Sequence, residues 1–201
     1  METERLTLRR FTAGDVEKLV ALDSDPEVMR YLNGGAPTPR AVIEREILPG
    51  FMTSYAPGGV HGVWALIERG GGAFLGWASL RPDIKRPGEA SLGYRLRREA
   101  WGQGYATEAA RALLRAAFRD SALQRVTATT YQDNHASRRV MERLGMTLAL
   151  TFRYTAEDMA ADSATHVTTG DLWDGEDVEY ALTRAEWERD YGAGAWTGVP
   201  M

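Results

Sequence analysis

The sequence predicts a mixed α/β fold, a sheet with helices packed on its faces, and three observations lead there. Short β-rich runs lie at both ends and in the middle of the chain, and amphipathic helical runs fall between them. The order fits neither a regular strand–helix alternation nor an all-strand count. It reads strand, two or three helices, three antiparallel-type strands, helix, strand, helix, strand, long loop, strand and a short closing helix.

The first strand is Glu4-Arg5-Leu6-Thr7-Leu8-Arg9, which alternates polar and apolar residues. Thr12-Ala13-Gly14-Asp15 resembles a capping box ahead of Val16, Leu19 and Val20 at helical spacing. Asp25-Pro26 opens a second short helix with proline where its missing N–H costs nothing, and Asn33-Gly34-Gly35 closes it. Thr38-Pro39 repeats the device for a helix carrying Val42, Ile43 and Ile47 inward. Val63 to Ile67 and Phe74 to Leu80 form an antiparallel hairpin across Gly70-Gly71-Gly72. After a proline-containing surface loop comes the strand Glu89 to Leu96. A helix follows with Ala106, Ala109, Ala110, Leu113, Leu114 and Ala117 on one face. Arg125 to Tyr131 is the next strand. Ala136, Val140 and Leu144 then sit four residues apart, with Gly145 as the stop. Leu148 to Tyr154 and Val178 to Leu182 complete the strands, and a helix capped from Thr183 ends near Tyr191. Residues 1–201 read as one domain, with a glycine-rich tail over about 192–201.

Composition narrows function by exclusion. With 24 Lys and Arg against 28 Asp and Glu, the net charge of −4 gives no general basic surface for nucleic acid or anionic membrane. Cysteine is absent, which removes thiol nucleophiles, disulfides and Cys-based zinc sites. His61, His135 and His166 show no metal spacing, so no metal is expected. No apolar run reaches the length of a membrane span and no signal-peptide pattern opens the chain, so a cytoplasmic location is expected.

One stretch carries chemistry. Leu92-Gly93-Tyr94-Arg95-Leu96 runs through a basic loop into Trp101-Gly102-Gln103-Gly104-Tyr105-Ala106-Thr107-Glu108, where a helix begins. The first amides of a helix have no partner within it, and its dipole places partial positive charge there, so the turn can hold phosphates. A plain strand–helix turn is the alternative reading.

With these residues the chain resembles the GNAT superfamily of acyl-CoA-dependent N-acyltransferases, most closely the RimJ/RimL-like branch. Thr3-Glu4-Arg5-Leu6-Thr7-Leu8-Arg9-Arg10 with Asp25-Pro26-Glu27-Val28 is similar to that branch's opening. The pyrophosphate motif falls on Trp101 to Ala106, and the later signature on Asn134-His135-Ala136-Ser137-Arg138-Arg139-Val140-Met141-Glu142-Arg143-Leu144-Gly145-Met146. Two positions depart from the pattern. Trp101 stands where Gln or Arg is usual, and Met141 stands where many members carry a tyrosine general acid; a thioether donates no proton.

The resemblance implies a mostly antiparallel sheet whose two central parallel strands, ending near Leu96 and Tyr131, splay apart. Acetyl-CoA would be the co-substrate. Its pantetheine would bond backbone groups of Tyr94, Arg95 and Leu96 like an added strand, and its pyrophosphate would sit on Gln103, Gly104, Tyr105, Ala106 and Thr107. Asn134 is read both as helix N-cap and as a pantetheine ligand, and Arg138, with Arg97, Arg98 and Arg139, as a candidate for the CoA phosphates.

The implied reaction is direct attack of an amine on the thioester. A peptide α-amine has a pKa near 8, whereas a lysine-type amine near 10.4 needs roughly 3 units, about 4–5 kcal/mol, of help. Glu89 is the favoured base, His61 the second candidate, and a water relay is the alternative; Glu89 could equally solvate a strand end. Ser137 is the candidate acid, against a reading as a helix-surface serine. Between Thr155 and Asp177 stand seven acidic residues and no Lys or Arg, which could attract a cationic amine or solubilise a loop. The expected function is acetyl transfer to a small-molecule or peptide amine, with a homodimer as the candidate assembly. The alternative is a non-catalytic acyl-CoA-binding sensor module on the same fold.

Overall fold

The computed structural model describes residues 1–55, 59–119, 122–153 and 175–191. The expected tail at about 192–201 and most of the acidic stretch lie outside them. The sheet has seven strands in the order β1-β2-β3-β4-β5-β7-β6. They are β1 (Leu6–Arg10), β2 (Gly62–Glu68), β3 (Phe74–Pro82), β4 (Glu89–Leu96), β5 (Arg125–Tyr131), β6 (Thr147–Phe152) and β7 (Asp177–Thr183). Every neighbouring pair is antiparallel except β4 and β5.

Alternation along the strands sends side chains to two faces, and each face has its own core. On one, Leu66, Leu80, Ala90, Leu92, Val126, Ala128 and Leu182 pack against α5 (Tyr105–Ala117) and α6 (His135–Arg143). On the other, Val63, Ala65, Phe74 and Trp77 meet Leu19 and Leu22 of α1 (Val16–Asp23), Val28 of α2 (Pro26–Asn33) and the helical segment that follows. That segment was expected as one helix. It is α3 (Arg40–Val42), a π-helical stretch (Ile43–Ile47) and α4 (Leu48–Thr53), with Ile43, Leu48 and Phe51 buried.

Helix ends follow the capping chemistry. The Asp25 carboxylate accepts from the Glu27 amide ahead of Pro26, and Gly34 closes α2 at φ 76°. Gly145 follows α6 at φ 80°. The last helix among the described residues, α7 (Arg184–Tyr191), lays Trp187 on Phe118 with ring centroids 5.3 Å apart. No helix among the described residues is long and apolar enough to cross a membrane.

Candidate active site

The parallel pairing of β4 and β5 covers only Glu89–Arg125, Ala90–Val126 and Ser91–Thr127. Beyond it β4 stays on β3 as far as Leu96, and β5 stays on β7 as far as Tyr131. The facing edges therefore part. An unpaired strand edge presents backbone N–H and C=O groups to whatever lies beside it, and Tyr94, Arg95 and Leu96 belong to that edge.

From the end of β4 the chain reaches α5 through a braced turn. Arg97 donates its amide to the Leu75 carbonyl at 2.9 Å, and the Trp101 indole donates to the Leu96 carbonyl at 2.9 Å. Trp101 is thus a brace at a position where a cofactor contact is usual. Gly102 and Gly104 adopt φ 72° and 84°, conformations that cost other residues about 1–2 kcal/mol. The Glu108 amide bonds the Gly104 carbonyl at 3.0 Å as the first intrahelical bond of α5, so the amides of Tyr105, Ala106 and Thr107 have no helical partner. The buried Thr107 hydroxyl has no hydrogen-bond partner either. These donors suit a pyrophosphate.

The N-terminal segment locks this turn, a role the sequence did not reveal. Arg5 bonds the Gln103 carbonyl at 3.0 Å, pairs with Glu108 at 2.6 Å and lies over the Tyr105 ring at 4.5 Å. Thr3 and the Arg5 amide bond the same carboxylate. Burial pushes the Glu108 carboxyl up, but these hydrogen bonds outweigh it and hold it below its usual range.

Across the splay, Asn134 caps α6 by accepting from the Ser137 amide at 3.2 Å, and its Nδ2 donates to Thr130 at 3.0 Å. Ser137 sits one turn into α6. Its Oγ is 2.9 Å from the Tyr94 phenol oxygen, which also donates to the Ser137 carbonyl at 3.0 Å. A hydroxyl pair therefore joins the β4 arm to the β5–α6 arm. Burial pushes the Tyr94 phenol well above its usual range, while the Ser137 hydrogen bond pulls the other way. Met141 is buried in the core.

Other expected residues are placed elsewhere. Glu89 stands at the closed end of the parallel pair, bound to Arg125 at 2.8 Å and Arg86 at 3.2 Å. At about 3.3 Å per residue it lies roughly 17 Å along β4 from Tyr94, so it does not share a reacting atom with Ser137. The assignment of Glu89 as base is corrected on that geometry. His61 precedes β2, two strands from β4. The Arg138 guanidinium donates to the Gln132 carbonyl at 2.9 Å and the Tyr180 hydroxyl at 3.2 Å. The Arg95 side chain points to the opposite face, onto Asp23 at 2.7 Å and over Trp77, leaving only its backbone at the splay. Arg97 and Arg98 pair with Glu99 and Asp25 at 3.5 and 3.3 Å, and Arg139 is exposed.

Of the acidic stretch, Glu157, Asp158, Asp162, Asp171 and Asp174 lie outside the described residues. Asp177 begins β7 opposite Tyr131, at the open end of the splay. It has no ion-pair partner among the described residues, and burial pushes its carboxyl up.

Residues 5–147 match the acetyltransferase (GNAT) domain family. The chain belongs to this family of acetyl-CoA-dependent acetyltransferases. It is 33% identical over 200 residues to FsC-acetyl coenzyme A-N(2)-transacetylase of Aspergillus fumigatus, covering 94% of this chain and 78% of the relative. The GNAT acetyltransferase structure from Bacillus anthracis superposes with a TM-score of 0.73 at 24% identity, over 92% of this chain and 98% of that one. The RimL ribosomal alpha-N-protein acetyltransferase in complex with coenzyme A gives 0.70 at 19% identity, over 90% and 95%. These structural likenesses establish the expected mixed sheet with helices on both faces.

Proposed function

We propose that this chain transfers an acetyl group from acetyl-CoA directly to a primary amine, and that the splay between β4 and β5 is where transfer occurs. The observation that carries this reading is the joining of three parts at one place. A strand edge at Tyr94 to Leu96 that β5 no longer pairs, its Leu96 carbonyl held by the Trp101 indole, runs into the amides of Tyr105 to Thr107 that have no helical partner, and the Ser137 hydroxyl meets Tyr94 of that edge from the other arm. Pantetheine on the edge and pyrophosphate on the helix terminus would bring the thioester toward Ser137, with Asn134 as a further pantetheine ligand. Ser137 then donates to the leaving thiolate in the place of the tyrosine that Met141 replaces.

The base is Asp177 or water ordered by it. The carboxylate lies on the opposite face of the sheet from Tyr94, at the open end, and burial raises its proton affinity. The acceptor is a cationic small-molecule or peptide amine, a choice supported by the acid-rich sequence that leads into β7. Calorimetry with acetyl-CoA, paired with thiol release over an amine panel at low and high ionic strength, tests the proposal. Release that is fastest for cationic amines and falls with salt is expected. Binding without release across the panel would favour a sensor module instead.

A further inference from the structure

The Tyr94–Ser137 pair has a chemistry that neither hydroxyl has alone. A phenol carries one hydrogen, yet its oxygen lies within bonding distance of two Ser137 atoms, the carbonyl at 3.0 Å and Oγ at 2.9 Å. The pair has two arrangements, of which only the first satisfies both contacts; the second gives up the bond to the Ser137 carbonyl. In one, Tyr94 donates to the carbonyl and Ser137 donates to Tyr94, so the serine hydrogen is engaged and Oγ offers only lone pairs. In the other, Tyr94 donates to Oγ, and the serine hydrogen is released toward the splay.

We propose that Tyr94 is a positioning residue that frees the Ser137 hydrogen from the phenol and turns it to the departing CoA sulfur when negative charge develops there. The inference rests on the reading of Ser137 as donor to that thiolate. No proton leaves the pair: the phenol hydrogen rotates from the carbonyl to Oγ, and the serine hydrogen rotates from the phenol to sulfur. The proton shed by the amine goes to Asp177 or its water, and CoA departs as a thiolate held by the Ser137 hydrogen bond and takes its proton from solvent. A serine hydroxyl polarised by a second donor makes a stronger hydrogen bond than a lone one, and charge in a site of low dielectric sharpens the gain. The carbonyl released by Tyr94 keeps its helical partner on α6, so the switch orphans no buried group.

The surroundings favour a neutral phenol. Burial raises its proton affinity, and Ser137 is the one other group acting on it. The charged and titratable groups on adjoining elements are engaged or turned away. Arg95 is on Asp23 across the sheet, Arg138 is on Gln132 and Tyr180, and Tyr180 also bonds Glu142. His135 and Arg139 are exposed on α6. Tyrosine from β4 thus brings a phenol to α6 one turn before Met141, which has no hydroxyl.

The test uses CoA and desulfo-CoA with the full chain, and needs no acceptor. The Kd ratio of the two ligands, followed from about pH 7 to pH 9.5, isolates the thiolate contact, because every other titrating group affects both ligands alike. In the wild type, CoA should gain about tenfold over desulfo-CoA as the thiol ionises, the scale of a hydrogen bond to a charged group. Ser137→Ala should abolish the gain, Tyr94→Phe should reduce it roughly three- to fivefold, and the double variant should match Ser137→Ala. An unchanged gain in Ser137→Ala would remove the serine reading and the switch with it. A full gain in Tyr94→Phe beside a lost one in Ser137→Ala would overturn the switch alone. So would a Tyr94→Phe defect that persists without Ser137, or one that weakens desulfo-CoA equally, since either marks packing.

Discussion

Arg5→Ala separates holding the cofactor turn from merely filling space beside it. The guanidinium bonds the Gln103 carbonyl at 3.0 Å, pairs with Glu108 at 2.6 Å and covers Tyr105 at 4.5 Å. With the arginine side chain 42% exposed, the ion pair is worth about 0.5–1 kcal/mol after solvent screening. The hydrogen bond to Gln103 adds about 1 kcal/mol and the ring contact about 0.5 kcal/mol. Because the three share one group, the total loss should be about 2 kcal/mol, a fall in Tm of roughly 4–8 °C. The functional loss should be selective. Freed from Arg5, the Gln103–Gly104 peptide no longer holds the amides proposed to face pyrophosphate, so CoA should bind roughly five- to tenfold more weakly and pantetheine, which lacks phosphates, should bind unchanged. Isothermal calorimetry with both ligands beside a thermal melt measures each part. A lower Tm with unchanged CoA affinity would refute the cradle argument, as would equal weakening of both ligands.

Glu89→Gln should lower stability by about 1–2 kcal/mol in denaturant titration through loss of the Arg125 and Arg86 pairs, and should leave the pH profile of thiol release in place. Asp177→Asn should raise Tm at neutral pH while depressing turnover. Its folded carboxyl is raised, so the native state loses stability as pH climbs through the unfolded and then the folded value, and the amide escapes that cost. Asp15 behaves oppositely: burial pushes its carboxyl up, but Arg9, Lys18 and Thr12 outweigh this and hold it well below its usual range. Its contribution is complete above the unfolded value near 3.9 and is lost as pH falls toward the folded one. Asp15→Asn should therefore cost about 2–4 kcal/mol at pH 7 and flatten the acid limb of a Tm–pH curve. Gly104→Ala should cost about 1–2 kcal/mol from its positive φ alone, because an added Cβ meets only Arg5 at 3.5 Å; a larger loss in chemical denaturation would contradict that.

Local pattern carried most of the fold. Proline at the first turn of α2, glycine after α6 and alternation along β1 are short-range signals that agree with the tertiary structure, and the strands expected to splay are the ones that part. What escaped depends on direction and distance. Glu89 lies at the start of a strand leading into the splay, but β4 runs from the closed end to the open one, and parallel register sets Glu89 beside Arg125, 36 residues on. The Tyr94–Ser137 contact joins residues 43 apart, and Arg5 reaches Glu108 across 103. No window of sequence holds either pair. The π-helical stretch at Ile43–Ile47 has no proline or glycine of its own to announce it.

The sheet also acts as a partition. The acyl donor's proposed grip is mostly main chain, on one arm of β4 and the first turn of α5, backed by the core that contains Leu113 and Met141. The helices α1 to α4 press a different set of side chains against the other face. Substitutions in the two cores should therefore add independently in stability. Side chains of the α1–α4 layer can then vary without disturbing the backbone geometry proposed to hold the acyl donor.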